Sequence, residues 1–114
     1  MRCRALRGWR RWKTPRAGSA RVLPAHLESN FISADFKGAQ PEACIRAPRE
    51  QRTGDFSGGD ILDEIAAARA DVGIVTVAPE IDGVLDLIAD LTQHGHRVSL
   101  GHSGATYAQA CAGI

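Results

Sequence analysis

The sequence lacks most of the features that identify a function directly. None of its apolar runs approaches the ~20 residues needed to cross a bilayer, so we expect no membrane-spanning segment. Motifs of the GxGxxG or Walker type are absent, and so is any internal repeat. The three cysteines, Cys3, Cys44 and Cys111, are far apart and form no Cys-X-X-Cys pair. This spacing argues against a zinc knuckle or a disulfide framework and favours a reducing cytoplasm.

Acidic residues are missing from the first 21 positions, although the whole chain has a net charge of only +1. This segment carries eight basic residues: Arg2, Arg4, Arg7, Arg10, Arg11, Lys13, Arg16 and Arg21. Residues 22–114 carry six basic and thirteen acidic side chains, a balance of −7. Arginines interleaved with Trp9 and Trp12 are typical of a nucleic-acid-binding arm or a membrane-surface segment, and an acid-free start is also typical of a transit peptide. Because the basic pattern stops at residue 21, we favour a disordered segment outside the folded domain, with nucleic-acid binding as the alternative.

From residue 22 the chain alternates short apolar runs with helical patterns. The predicted order is strand 22–27, loop 46–60, a helix from Asp60, strand 72–77, a helix from Pro79 to Gly95, strand 96–100 and a helix from residue 105. The run VGIVTV is apolar on both faces, as expected for a parallel strand covered on both sides. Strands that alternate with helices and short connections predict an α/β fold with a parallel sheet.

Two architectures share this order: an open doubly wound sheet and part of a (β/α)8 barrel. A closed barrel needs eight βα units, and the sequence supplies about three, so we expect a piece of a larger domain. In both architectures, chemistry collects at the carboxyl ends of the strands. Those ends carry Glu28, Glu80 and His102.

Two of these residues have the chemistry of metal ligands. Glu28 follows the first predicted strand and His102 follows the third. A carboxylate and a neutral imidazole suit a divalent ion such as zinc. Two ligands are fewer than the three protein ligands of a typical catalytic zinc site. On spacing alone, the alternative of a solvated carboxylate and a histidine packed at the sheet rim therefore stays open.

Other polar residues have weaker assignments. His26 alternates with Glu28 and can share its face of the strand, either as a ligand or as its partner, but core packing is favoured. His94 and His96 lie at the predicted end of the second helix, where an imidazolium suits the helix dipole, so capping is favoured over metal binding. Ser103 is not part of a G-x-S-x-G nucleophile motif and is predicted to cap the last helix.

Three stretches, HLESNFISADFKGAQPEACIR, VTVAPEIDGVLDLI and VSLGHSGATYAQACAGI, together resemble the N-acetylglucosamine-6-phosphate deacetylases of the amidohydrolase superfamily. The resemblance covers residues 22–114, which match an internal part of the family, and leaves out residues 1–21 as a non-family segment. It implies an incomplete (β/α)8 barrel of about three βα units. It also implies a cytoplasmic parent enzyme, homo-oligomeric and away from membranes, that hydrolyses the N-acetyl group of an amino-sugar phosphate to give acetate and glucosamine 6-phosphate.

The resemblance also assigns individual residues. Glu28 of the HLE motif and His102 of the GHS motif match ligands of one divalent metal ion, zinc or similar. Ala39 and Gln40 match positions that contact the sugar phosphate substrate. The third metal ligand and the general-base aspartate of the family are expected beyond Ile114. The resemblance therefore implies that the 114 residues alone are inactive, since water activation needs those groups.

One departure from the family lies directly beside the metal-ligand glutamate. Ser29 and Asn30 stand where the family usually has Gly-Pro. Because proline fixes the backbone and glycine frees it, this exchange predicts a changed loop geometry next to Glu28.

Overall fold

The structure is a computed structural model, and it describes residues 17–18, 20–52 and 54–114. The described residues form three strands and three α-helices: β1 (Ala25–Glu28), α1 (Gly58–Ala67), β2 (Val72–Val77), α2 (Val84–Gln93), β3 (Arg97–Leu100) and α3 (Tyr107–Ala112). Short 3-10 helices lie at Ala34–Phe36, Glu42–Cys44 and Arg69–Asp71. Most of the basic segment 1–21, with Trp9, Trp12 and Cys3, lies outside the described residues, so its assignment stays a prediction. No helix of the described part is long and apolar enough to span a membrane.

The three strands form one parallel sheet in the order β1-β2-β3. This confirms the predicted α/β fold with a parallel sheet. The sheet runs in sequence order, an arrangement found within each half of a doubly wound sheet and throughout a barrel. The pairing of β1 with β2 shifts by one residue between Ala25 and His26, and from there Glu28 is aligned with Thr76. The carboxyl ends of β1 and β3 therefore flank the carboxyl end of β2.

The core lies on one face of the sheet, between the strands and helices α1 and α2. Val75 and Val77 of β2 are fully buried, and Ile65 of α1 and Leu91 of α2 belong to the same apolar cluster. Because side chains alternate along a strand, the opposite face of the sheet carries His26 and Glu28 of β1. The helices therefore cover one face only, and the other face holds the polar residues of β1.

Helix α1 begins at Gly58, two residues before the predicted start, because Ser57 and Asp60 form a complete capping box. The Ser57 hydroxyl oxygen accepts a hydrogen bond from the Asp60 amide, and the Asp60 carboxylate accepts one from the Ser57 amide. These bonds satisfy two amide groups that a helix start leaves without partners. Ile61 and Ile65 then follow at helical spacing and face the core.

Helix α2 begins at Val84, so its predicted start at Pro79 is wrong. Residues 79–83 form turns instead, in which the Ile81 amide donates to the Ala78 carbonyl and the Val84 amide donates to the Ile81 carbonyl. Gly83 precedes the helix with φ of +77°, outside the helical region. A proline that suits a first helical turn therefore opens a turn here, because the following backbone takes a left-handed conformation.

The remaining boundaries differ from the prediction by one to three residues. Strand β1 begins at Ala25 rather than residue 22, consistent with the missing amide hydrogen of Pro24. Helix α3 begins at Tyr107, and its cap is Thr106, whose hydroxyl oxygen accepts from the Gln109 amide. The predicted capping role of Ser103 is therefore wrong.

Candidate functional site

The loops after β1 and β3 meet over the carboxyl end of β2. There the Glu28 carboxylate oxygen Oε1 lies 3.4 Å from the His102 ring nitrogen Nε2. Gly101 makes this approach possible, because a Cβ at that position would lie only 3.0 Å from the Thr76 methyl carbon. The structure thus brings together the two residues that the sequence singled out as metal ligands.

Three contacts hold His102 in place. Its ring nitrogen Nδ1 lies 2.8 Å from the Phe36 carbonyl oxygen, and its main-chain carbonyl accepts a hydrogen bond of 2.9 Å from the Ser33 amide. The ring passes over Gly38, where a Cβ would lie 3.4 Å from the His102 carbon Cε1. His102 itself has φ of +50°, a left-handed conformation that non-glycine residues adopt at a cost. The surrounding loops therefore stabilise an unfavourable backbone that aims the ring at Glu28.

The bond to Phe36 also sets which ring nitrogen carries the proton. A carbonyl oxygen only accepts, so Nδ1 of His102 is the donor and a neutral ring keeps its lone pair on Nε2. That lone pair faces Glu28. A metal-binding histidine usually has this arrangement, with one nitrogen on the ion and the other bonded to a carbonyl or carboxylate.

The separation of the two side chains also fits a shared ion. Nitrogen and oxygen ligands lie about 2.0 to 2.2 Å from zinc, and at a tetrahedral angle this places them about 3.4 Å apart. The observed distance between Oε1 and Nε2 is 3.4 Å. The same distance also suits an ion pair between the carboxylate and a protonated imidazole. The donor chemistry and the fixed tautomer therefore fit a divalent ion, and the ion pair is the competing explanation.

The predicted substrate positions lie in the loop beside this pair. The Gln40 side-chain amide donates a hydrogen bond of 3.0 Å to Oε1 of Glu28. Ala39 is exposed in the same loop, between Gly38 and Gln40. The structure thus brings Gln40 to the candidate ligand and leaves Ala39 facing solvent next to it.

His26 does not join the pair. Its ring nitrogen Nε2 is hydrogen-bonded to the Thr76 hydroxyl at 2.7 Å, and the residue is exposed, so the favoured core packing is wrong. Within the described part of the chain, no group of three or more His, Cys, Asp or Glu side chains is arranged to hold a metal ion. The described residues therefore supply two candidate ligands.

Glu80 supports the loop that carries His102, a role that the sequence did not indicate. Its carboxylate accepts hydrogen bonds of 2.6 Å from the Ser103 hydroxyl and of 2.6 Å from the Gly104 amide. The Ser103 oxygen in turn accepts from the Ala105 amide. The only sequence signal was its position after a strand, which Glu80 shares with Glu28.

The Ser29-Asn30 pair is integrated into the loop after β1. The Ser29 hydroxyl donates to the Thr76 carbonyl at 2.6 Å and accepts from the Phe31 amide at 3.1 Å. The Asn30 side-chain amide donates to the Cys44 carbonyl at 2.7 Å. Both residues thus have defined partners while Glu28 faces His102, and a geometry different from that of Gly-Pro stays a prediction.

The two histidines near the end of α2 have different environments. The His94 ring nitrogen Nδ1 lies 2.9 Å from the Asp90 carbonyl oxygen, as predicted for a histidine at a helix end. His96 is instead buried, and its Nδ1 lies 2.8 Å from the carbonyl oxygen of Val72 in β2, so the capping predicted for it is wrong. It lines a groove of about 270 Å³ between α1 and α2 to which neither candidate ligand belongs.

The fold and this site define a class: a parallel α/β protein with ligand-type side chains at the carboxyl ends of its strands. No protein-family model matches the chain. Among curated proteins it is 43% identical over 88 residues to the N-acetylglucosamine-6-phosphate deacetylase of Mus musculus, covering 75% of this chain and 20% of that protein. It is 33% identical over 90 residues to the N-acetylgalactosamine-6-phosphate deacetylase of Escherichia coli O157:H7, covering 79% of this chain and 22% of that protein.

Solved structures give the same result. The N-acetylglucosamine-6-phosphate deacetylase of Pasteurella multocida superimposes with a TM-score of 0.74 at 27% identity, over 96% of this chain and 26% of that one. The Mycobacterium smegmatis enzyme superimposes with a TM-score of 0.65 at 35% identity, over 80% of this chain and 22% of that one. The resemblance is therefore confirmed: the chain is related to the N-acetylglucosamine-6-phosphate deacetylases, and it spans about a fifth of the length of the curated relatives.

Proposed function

We propose that this chain forms part of the catalytic domain of an N-acetylglucosamine-6-phosphate deacetylase and supplies two ligands of its divalent metal ion, Glu28 and His102. The observation that carries the proposal is the pair itself, with Nε2 of His102 at 3.4 Å from Oε1 of Glu28 and Nδ1 held by the Phe36 carbonyl. The names of the relatives supply the substrate.

The sheet is proposed as a segment of a (β/α)8 barrel. Two features support this. The strands follow each other in sequence order, and one apolar cluster joins α1 and α2 to a single face of the sheet. The opposite face, with His26 and Glu28, corresponds to a barrel interior, and the candidate site lies at the carboxyl ends of the strands, where barrel enzymes bind their substrates.

The chain's own residues perform three tasks in this proposal. The Phe36 carbonyl fixes the tautomer of His102 and so keeps Nε2 free to bind a cation. Gln40 orients the Glu28 carboxylate through its amide. The loop of Ala39 and Gln40 stands beside the pair, where the amino-sugar phosphate would bind. A divalent ion at this site, when bound, polarises the acetyl carbonyl and activates water for its hydrolysis to acetate and glucosamine 6-phosphate.

A chimera tests the proposal. The segment of the Mus musculus deacetylase that matches this chain is replaced by the matching segment of this chain. We expect release of free amine from N-acetylglucosamine 6-phosphate, and we expect Glu28→Gln to lower kcat/KM by about 100-fold or more, because a ligand charge is lost. Asp63→Asn on the exposed side of α1 is the control and should leave the rate unchanged.

A folded chimera without activity on either 6-phosphate would contradict the proposal. The N-acetylgalactosamine epimer is assayed in parallel, because one relative carries that name. The isolated 114-residue polypeptide is expected to give no turnover above a metal-matched blank, since the described residues bring two ligands together and a catalytic zinc site typically has three. Turnover by that polypeptide would show that the two ligands suffice.

A further inference from the structure

We infer that Glu80 is a positioning residue for His102, acting through the turn formed by residues 101–104. The inference extends the proposed function, because it concerns the side chain proposed there as a metal ligand. Among the described residues, no hydrogen bond or ion pair joins Glu80 to His102 itself. Glu80 contacts the two residues that follow His102, and it does so from the loop after the neighbouring strand β2.

The backbone conformation of His102 explains why its turn needs support from the loop after β2, where Glu80 lies. His102 has φ of +50°, a backbone conformation that is unfavourable for a residue with a Cβ. Such conformations persist only where surrounding contacts determine them. The Ser33 amide holds the turn on the side of β1 through the His102 carbonyl. On the other side, the two bonds to Glu80 tie Ser103 and Gly104 to the loop after β2, whereas the bond from the Ala105 amide to the Ser103 oxygen is local.

Those two bonds are of the strong kind. The Ser103 hydroxyl and the Gly104 amide each lie 2.6 Å from a different oxygen of the Glu80 carboxylate. Hydrogen bonds to a carboxylate are shorter and about twice as strong as bonds between neutral groups. Both oxygens are used at once, so the carboxylate fixes the direction of the chain as it leaves His102 as well as its position.

Space around the turn limits its alternatives. A Cβ at Gly104 would lie 2.5 Å from the Phe36 ring, and Phe36 is the residue whose carbonyl oxygen accepts the hydrogen bond from Nδ1 of His102. If the turn relaxed, the chain at Gly104 and the Phe36 loop would shift against each other. Loss of the Glu80 bonds is therefore expected to weaken the bond from Nδ1 to Phe36 and to misalign Nε2.

Zinc titration of the full chain tests the inference. Glu80→Gln keeps the size of the side chain but replaces one accepting oxygen with an NH₂ donor. We expect it to weaken Zn²⁺ binding by about 10- to 100-fold, as for residues that orient metal ligands. Asp82→Asn is the matched control, because it removes a negative charge two residues from Glu80. Asp82 and Glu80 line one groove, which is separate from the groove at His96. The control should change the affinity by less than about twofold, as expected for an exposed charge.

A second readout needs no metal. Nitrogen-15 spectra of the histidine rings report which nitrogen carries the proton, and a His102→Ala variant identifies the signals of that ring. In the unsubstituted chain His102 should be protonated on Nδ1, and Glu80→Gln should shift it towards a mixture of tautomers while Asp82→Asn does not. Unchanged tautomer and affinity in Glu80→Gln would overturn the inference, and so would equal losses in the two variants.

The two readouts separate this inference from the proposed function. If the unsubstituted chain does not bind Zn²⁺ but the tautomer depends on Glu80, two ligands alone do not hold the ion, the chimera decides the proposed function, and the positioning role is supported. If Glu80→Gln does not fold, Ser103→Ala decides, since it removes one of the two bonds and keeps the charge. It should give a smaller change in the same direction, and no change would overturn the inference.

Discussion

The two ends of β3 each hold a histidine by the same bond, and the two histidines have different surroundings. His96 precedes the strand and His102 follows it, and in both the ring nitrogen Nδ1 lies 2.8 Å from a main-chain carbonyl oxygen. His96 is 6% exposed and belongs to the interior. The side chain of His102 is 32% exposed and faces a carboxylate.

The difference shows that a histidine's role depends on what surrounds its second nitrogen. At the amino end of β3, the bond from His96 gives the buried main-chain carbonyl of Val72, at the start of β2, a hydrogen-bond partner. At the carboxyl end, the equivalent bond leaves Nε2 of His102 beside Glu28 and partly open to solvent. One bond thus stabilises the core, whereas the other orients the histidine that we propose as a metal ligand.

The largest expected effect is on metal binding at the carboxyl end. His102→Ala removes one of the two proposed ligands, so Zn²⁺ affinity should fall by about 100-fold or more, beyond the 10- to 100-fold typical of supporting residues. His94→Ala is the control, since His94 is also exposed and also bonds a main-chain carbonyl. Titration with Zn²⁺ followed by calorimetry measures both. Equal affinities for the two variants would remove the distinction between the ends of β3.

The next effect is on stability at the amino end. His96→Ala leaves a cavity and removes the partner of the Val72 carbonyl, so the free energy of unfolding should fall by about 2 to 4 kcal/mol. Urea unfolding followed by circular dichroism measures this loss, while Zn²⁺ affinity should stay as in the unsubstituted chain. A stable His96→Ala variant with impaired zinc binding would reverse the two assignments.

The smallest effect on stability is expected at the capping box of α1, formed by Ser57 and Asp60, which bonds to neither His96 nor His102. Hydrogen bonds from the Ser57 amide and hydroxyl, with a further contribution from Arg52, hold the pKa of Asp60 below its usual value of 3.8. The folded-state pKa lies below the unfolded one, so the stabilisation is present at neutral pH and is lost as the pH falls through about 4 and below.

The test compares thermal unfolding of the unsubstituted chain and Asp60→Asn between about pH 6 and pH 3. The melting temperatures should differ at the upper end of this range and converge at the lower end. A constant difference across the range would show that the Asp60 charge does not contribute to stability.

Local patterns predicted the strands and helices well where a single period covers them. The apolar run 72–77 became β2 without change, and the helical spacing that ends near Gly95 became α2. The start of α2 was wrong because it depends on Gly83 and on the use of Glu80 by a distant turn. A local pattern does not contain that contact.

In the candidate site, too, some features could be predicted from local patterns and others depend on distant contacts. Glu28 and His102 were identified because each follows a strand, and parallel strands bring their carboxyl ends together. Glu80 follows a strand too, but its partners and those of the Phe36 carbonyl were not predicted, since they depend on main-chain positions that only the folded loops define. The proximity of Glu28 and His102 was thus predictable from residue type and position along the strands, whereas the contacts that support them were not.

The bond between His102 and the Phe36 carbonyl joins positions 66 residues apart. Contacts of such long sequence separation form slowly, because closing the loop between them has an entropic cost that packing of the intervening chain must offset. Here that chain includes α1, β2 and α2. We therefore expect the ring to adopt its single tautomer only when β3 has joined the sheet. The tautomer of His102 would then report, during folding, when β3 joins the sheet.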